Sequence, residues 1–432
     1  VTEDREWGRR SLLRGAAVVA GAAAATPLLG GAATARADGD ADALFEAGRF
    51  EQAGRAYEEI LRQDPGNVHA ARRRGHVGLL SNRFPEAEKY LTTALNLAPD
   101  DKQTNRLLAD CYTRQDKFSL AAPRWQATGE EAYAKWFAAM RGTPYQVHGD
   151  IARLPWKQMD PFPLVEASIN GGPKRSFTFY TRVDSLGVSK RVAEEAGLTA
   201  VAKQRTEAFG DVIWLYYGVL ESFRLDGIEL RNIPVGWSER ESGGEVAPEA
   251  HDGMIGTWVL YHLLPTFDYA GRSLILRRRT PETAGKARAD AARARVKPLP
   301  LWLTGGHLLY SEGSVAGSSP GVVALHIGGT GEQVAGISEE TAKRLGVRVD
   351  YDRPMASFAG GQPTNGYPCY PKEVRLGDAT AKGAYCYAGG KNTLGDEGFY
   401  KLASFDHAFH KPFNITLDFT DMNLYIARGP AT

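Results

Sequence analysis

Few residues of this 432-residue chain combine the type and spacing that chemistry needs. The first group is Tyr180-Thr181-Arg182, with Asp184 four residues past the tyrosine. The second is His326, followed shortly by Gly329-Thr330-Gly331. A tyrosine and a histidine can trade a proton, but a free phenol titrates near ~10 and makes a poor base at neutral pH. A third group, Asp406 with His407 and His410, offers metal-ligand atoms without a third well-spaced partner, and reads as ordinary surface. No HExxH, nucleophile elbow, phosphate loop or dinucleotide fingerprint occurs. Neither a metal nor a cofactor is expected.

The elements around these residues repeat. In residues 176–198 the strand formers Phe177-Thr178-Phe179 enter a polar turn, and a short amphipathic helix then ends at Ala196-Gly197-Leu198. Leu225-Asp226-Gly227-Ile228 is a tight hairpin signal, and residues 265–276 close the unit. A second copy has its strand at residues 321–325, its turn and helix at 337–347, its hairpin at Leu376-Gly377-Asp378-Ala379 and its closing strands at 415–419 and 424–426. This order resembles a lobe of the retropepsin-like aspartic proteases, taken twice in tandem as in pepsin. The resemblance implies a mainly-β bilobal body, with lobe one over 143–276 and lobe two over 299–432. Residues 277–298, rich in Arg and Ala, read as a solvated linker, in part helical.

The resemblance also implies one aspartate from each lobe, facing across a cleft and sharing a proton because both cannot ionise side by side. At that place lobe one has Tyr180, with Thr181 kept and Arg182 instead of glycine. Lobe two has His326 when counted forward from the upstream hairpin, or Gly329 when counted back from Ser338 and Gly346. The second count retains Thr330 and Gly331 of the motif. No Asp occurs from residue 291 to 349, so the carboxylates are missing under either count. Asp184 should point away from the cleft. Flap-like turns would overhang it at Phe209-Gly210 and at Phe358 and Gly360.

Ahead of the lobes the sequence repeats with a period of 34: Phe50, Phe84 and Phe118, then Ala53, Ala87 and Ala121. Tyr57, Leu91 and Trp125 keep the same step, and Pro65 and Pro99 close two units. Small residues at helix crossings with aromatics beside them resemble the tetratricopeptide repeat (TPR), an all-α array assigned here to residues 38–142. Such arrays bind peptides or proteins in a concave face, or act as spacers. Residues 1–37 read as an export signal: Arg9-Arg10, an Ala/Gly/Val/Leu run from Gly15 to Gly31, then Ala35-Arg36-Ala37. The paired arginines resemble a bacterial twin-arginine signal, which implies a periplasmic, cell-envelope or extracellular protein without stable membrane insertion after cleavage. A net charge of +1 gives no electrostatic case for nucleic acid.

Three cysteines exclude a disulfide-built scaffold. Two of them, Cys369 and Cys386, are equidistant from the centre of the Gly377-Asp378 turn, which puts them opposite each other on the two hairpin strands. In an oxidising compartment they are expected to bridge, leaving Cys111 as a lone thiol. The sequence thus points to an exported peptide- or protein-binding protein, a TPR module joined to a catalytically degenerate aspartic-protease-like cleft. Two alternatives stay open: an active aspartic-type endopeptidase with a displaced carboxylate such as Asp184, and a scaffold whose recognition lies only in the repeats.

Overall fold

The computed structural model describes residues 29–160, 162–208, 211–241, 251–328, 332–359, 362–391, 394 and 397–431. The export segment expected over 1–37 lies outside these up to residue 28, and from Leu29 the chain is helical. Among the described residues no helix is long and apolar enough to cross a membrane.

Helix α1 (Leu29–Glu46), α2 (Phe50–Gln63), α3 (Val68–Leu80), α4 (Phe84–Leu97), α5 (Lys102–Thr113) and α6 (Phe118–Thr128) form three antiparallel pairs. A seventh, α7 (Glu131–Ala139), follows them. The second helix of each pair begins at the recurring phenylalanine. Two residues earlier, Gly48, Asn82 and Asp116 all take a left-handed backbone, with φ of 75°, 55° and 58°. Glycine, Asn and Asp tolerate that region best, so the same tight turn is made three times. Ala87 and Gly78 let α3 and α4 approach: a Cβ on Gly78 would stand 3.1 Å from the Ala87 backbone nitrogen.

After α7 the chain becomes mainly β. Lobe one is built on an eight-stranded sheet and lobe two on an eleven-stranded one. A six-stranded sheet joins them. Its central strands are Leu263–Asp268 of lobe one and Phe413–Asp418 of lobe two, paired Thr266 to Thr416. The two threonines are counterparts in the tandem copies, and their hydroxyls meet at 2.7 Å. An approximate two-fold axis therefore runs between them. Strand alternation does the rest: Phe267 and Tyr269 turn inward onto Phe179 and Trp156, while Thr266 faces the other way.

The linker is more ordered than the sequence reading had it. Helix Pro281–Arg293 starts in a capping box between Thr280 and Thr283, and buries Ala284 and Ala291. Its alanines form the apolar stripe that its arginines obscure in the composition.

The helices do not stand apart from the lobes. Phe50 packs edge-on to Trp302 at 4.9 Å and to Phe399 at 5.2 Å, with Phe45 beside them. Arg114, at the end of α5 and 3% exposed, donates to the carbonyls of Leu79, Leu303 and Thr304. On the α7 side, the Trp136 indole donates to Gly218 O at 2.7 Å. Side chains from four of the helices, α1, α2, α5 and α7, are thus spent on the chain's own β body.

Cys369 and Cys386 are paired directly opposite each other, as the hairpin count requires. In this structure the two sulfurs are not joined: both are free, buried thiols, as is Cys111. Opposition puts two side chains on one face; the bond still requires oxidation and the right torsion. Burial pushes all three thiols up to about 12. Native protein at pH 8 should accordingly resist iodoacetamide, because the thiolate is the nucleophile. Unfolding without reductant should expose three alkylation sites by mass spectrometry; a single site would show Cys369 and Cys386 already joined.

Candidate functional site

The two lobes touch at their equivalent loops. Strand Arg175–Phe179, with Phe177 and Phe179 fully buried, delivers Tyr180-Thr181-Arg182. Strand Gly321–Leu325 delivers His326-Ile327-Gly328. Each strand runs parallel to a short neighbour, Gly253–Ile255 in lobe one and Ala403–Phe405 in lobe two. Tyr180 N donates to Ile255 O, and His326 N donates to Phe405 O. These matching bonds make His326 the structural counterpart of Tyr180. Gly329, Thr330 and Gly331, which the alternative count invoked, lie outside the described residues.

One side chain fastens the loops together. The Thr181 hydroxyl donates to Leu325 O at 2.9 Å and accepts from Ile327 N at 2.9 Å. Thr181 N also donates to Ile327 O at 3.0 Å. The position equivalent to Thr181 is Ile327, which has no hydroxyl to return the bond, so the tie is one-sided. Gly328 must be glycine: its φ is 81°, and a Cβ there would stand 1.9 Å from Phe179 O. Its N–H donates to the Tyr269 hydroxyl at 2.9 Å. Tyr180 and Gly328 form an isolated antiparallel bridge, so the lobes meet where the sequence pattern requires.

At this crossing the ionisable groups are Tyr180, half-buried; Arg182, exposed; and His326, whose side chain is 17% exposed. His326 Nδ1 lies 2.7 Å from Asp406 Oδ1. Burial lowers the His326 pKa, and the charges of Arg182 and Lys401 add to that, while Asp406 opposes it. A neutral ring that donates from Nδ1 to the carboxylate keeps its lone pair on Nε2. Such a pair can accept a proton or a hydrogen bond from a ligand. It does not reproduce two carboxylates sharing one proton, since Asp406 is already engaged by the histidine.

Sequence reasoning missed Asp406 in this role. Its lobe-one counterpart is Gly256, so only the offset between the copies, with the parallel pairing of Leu325 and Phe405, could have brought it to His326. Asp184 points elsewhere, accepting from the Tyr133 hydroxyl of α7 at 3.0 Å and from Ser185 N at 2.6 Å. Burial raises its pKa. His407 and His410 are not surface residues: they are 1% and 0% exposed, on the short helix His407–His410 beside Tyr269. Among the described residues no group of three or more His, Cys, Asp or Glu could hold a metal ion. Of the flap positions, Phe209, Gly210 and Gly360 lie outside the described residues, and Phe358 is on strand Met355–Ala359. The flanking strands pair up to Ala208–Asp211 and Ala359–Gln362.

Residues 44–111 match the family model of the tetratricopeptide repeat. No curated protein matches the chain. Among solved structures, a retropepsin-like aspartic protease from Rickettsia conorii aligns with 31% of this chain and 95% of its own at 16% identity, with a TM-score of 0.24.

Two measurements check the site. Thr181→Val removes a hydroxyl that satisfies a buried N–H and a buried carbonyl, and should cost about 1–3 kcal/mol of stability in a denaturant titration; an unchanged midpoint would mean the tie does not hold the lobes. The second concerns the buried histidines. Burial lowers His407 to about 4, and His410 and His76 to about 3. Unfolded rings protonate near ~6.5, so below that pH the unfolded chain binds more protons and stability falls as pH falls towards 4. Asp110, raised by burial to about 6, works in the opposite sense, as do Asp184 and Asp418, but these three are outnumbered once His307 and His326, also lowered by burial, join the three rings. NMR should find these three rings still neutral at pH 5; protonated rings in folded protein at that pH would contradict their burial.

Proposed function

We propose that the chain is an exported peptide- or protein-binding protein whose protease-shaped cleft has lost its catalytic pair. The observation that carries this reading is the crossing of the lobes, where Tyr180 stands opposite the loop of a histidine whose nearest carboxylate is hydrogen-bonded to it. Cleavage by paired carboxylates needs one charged and one protonated member. A tyrosine and an imidazole bound to Asp406 supply neither in that form. What remains at the crossing is a set of hydrogen-bonding groups, the Tyr180 phenol, the Arg182 guanidinium and the free Nε2 of His326, of the kind that can hold an extended peptide. Export is supported by the order Arg9-Arg10, apolar run, Ala35-Arg36-Ala37.

TPR repeats generally mediate protein–protein interactions. Here Phe45, Phe50 and Arg114 are committed to the chain's own lobe two, which favours ligand recognition at the lobes over recognition by the repeats alone. A displaced-carboxylate protease is disfavoured by Asp184, whose partner is Tyr133 and not the opposite loop.

Losing a positioned acid or base typically costs about 10²–10⁴ in rate, and here both members are replaced. Purified protein should show no peptidase activity above background from about pH 3 to 8, and no response to a transition-state-mimicking aspartic protease inhibitor. Selection from a random displayed peptide library should instead enrich sequences whose binding is lost in Tyr180→Ala and His326→Ala. Inhibitor-sensitive cleavage that Asp184→Asn abolishes would overturn the reading.

A further inference from the structure

The outer face of the six-stranded sheet carries a second feature, away from the lobe crossing. Between this face and the linker helix Pro281–Arg293 lies a cavity of about 540 Å³. That is within the range of small-molecule pockets. The residues paired across the sheet at this level include Thr266, Thr416 and Tyr425, with Arg153 at the edge strand Ile151–Pro155.

Four cations line the cavity: Arg153, Arg277, Lys286 and Arg428. Among the described residues none of them has a carboxylate in ion-pair distance. Arg277 bonds only the Thr266 hydroxyl, at 3.0 Å; Arg153 donates to the Ser273 hydroxyl, at 3.3 Å; Arg428 lies over the Phe413 ring. The two carboxylates of the lining are taken, Asp150 by Arg278 and Asp290 by Arg293. Arg277 is only half-exposed at most, and burial followed by the charge of Arg153 lowers its pKa. The two guanidiniums repel, and Asp290 on the helix side offsets part of that repulsion. Tyr425 adds an aromatic side chain to the lining.

The helix contributes Ala287 and Ala291 alongside Thr283, Lys286 and Asp290, with Val296 after it and Ile151 across on the edge strand. We propose that this cavity is a binding site for an amphiphilic organic anion, its carboxylate held between Arg153 and Arg277 and its apolar part lying along the alanine side of the linker helix. The site is independent of the cleft between the loops.

The test uses full-length protein and decanoate as the probe, below its micellar concentration, followed by isothermal titration calorimetry. Decanoate should bind one to one, with at least tenfold weaker binding in Arg277→Gln and in Arg153→Gln. Decyltrimethylammonium, which matches its chain but not its charge, should not bind. Arg153 is exposed on an edge strand, so its replacement leaves the fold intact, which circular dichroism verifies. Ala287→Phe should block binding from the helix side without removing a charge. Absence of decanoate binding, equal binding of the cation, or binding that survives both arginine replacements in folded protein would overturn the proposal.

Discussion

The β body depends on one hydroxyl. Thr181 takes the Ile327 N–H and gives its own proton to Leu325 O, so a single side chain links the loop of one lobe to two backbone groups of the other. All these groups are buried, and none could find water if the loops separated slightly. The tie fixes where Tyr180 and His326 stand, and Gly328 is forced against Phe179 by the same closeness. The six-stranded sheet adds a second fastening at Thr266 and Thr416.

Against this body the helical repeats act less as an independent module than as a buttress. Their turns are made by position, three times over, yet the faces that remain apolar are covered by Trp302 and Phe399 of lobe two and by strands of lobe one. Arg114 ties the two together: its buried guanidinium donates to two carbonyls of lobe two, although its Nε has no partner among the described residues.

Much of this was legible before any coordinates. The period of 34 located three helix starts, because repeat turns constrain residue type as well as spacing. The copy-to-copy alignment located the closing strands and narrowed the lobe-two loop to His326 or Gly329, and counting out from the Gly377-Asp378 turn located the opposition of Cys369 and Cys386. Three kinds of information were hidden. Asp406 reaches His326 through a parallel pairing across 80 residues, which no local pattern encodes. His407 and His410 look polar, but they occupy a four-residue helix covered by Tyr269, and burial follows from that position and not from their type. The linker's arginines masked an alanine stripe. In each case the deciding partner lies far away in sequence.

The one-sided tie at Thr181 has a consequence for how such a molecule can change. If the two lobes were separate identical chains meeting on a true two-fold axis, every residue at the axis would confront its own copy. Tyrosine would face tyrosine, and a threonine lost from one loop would be lost from both. Joining the halves covalently lifts that requirement. One loop can surrender its hydroxyl to Ile327 while the other goes on holding the pair, and the two ends of the cleft become free to carry unlike side chains. Asymmetry of this kind suits a surface that must tell one end of a polypeptide from the other, since an extended chain has a direction and a symmetric groove does not.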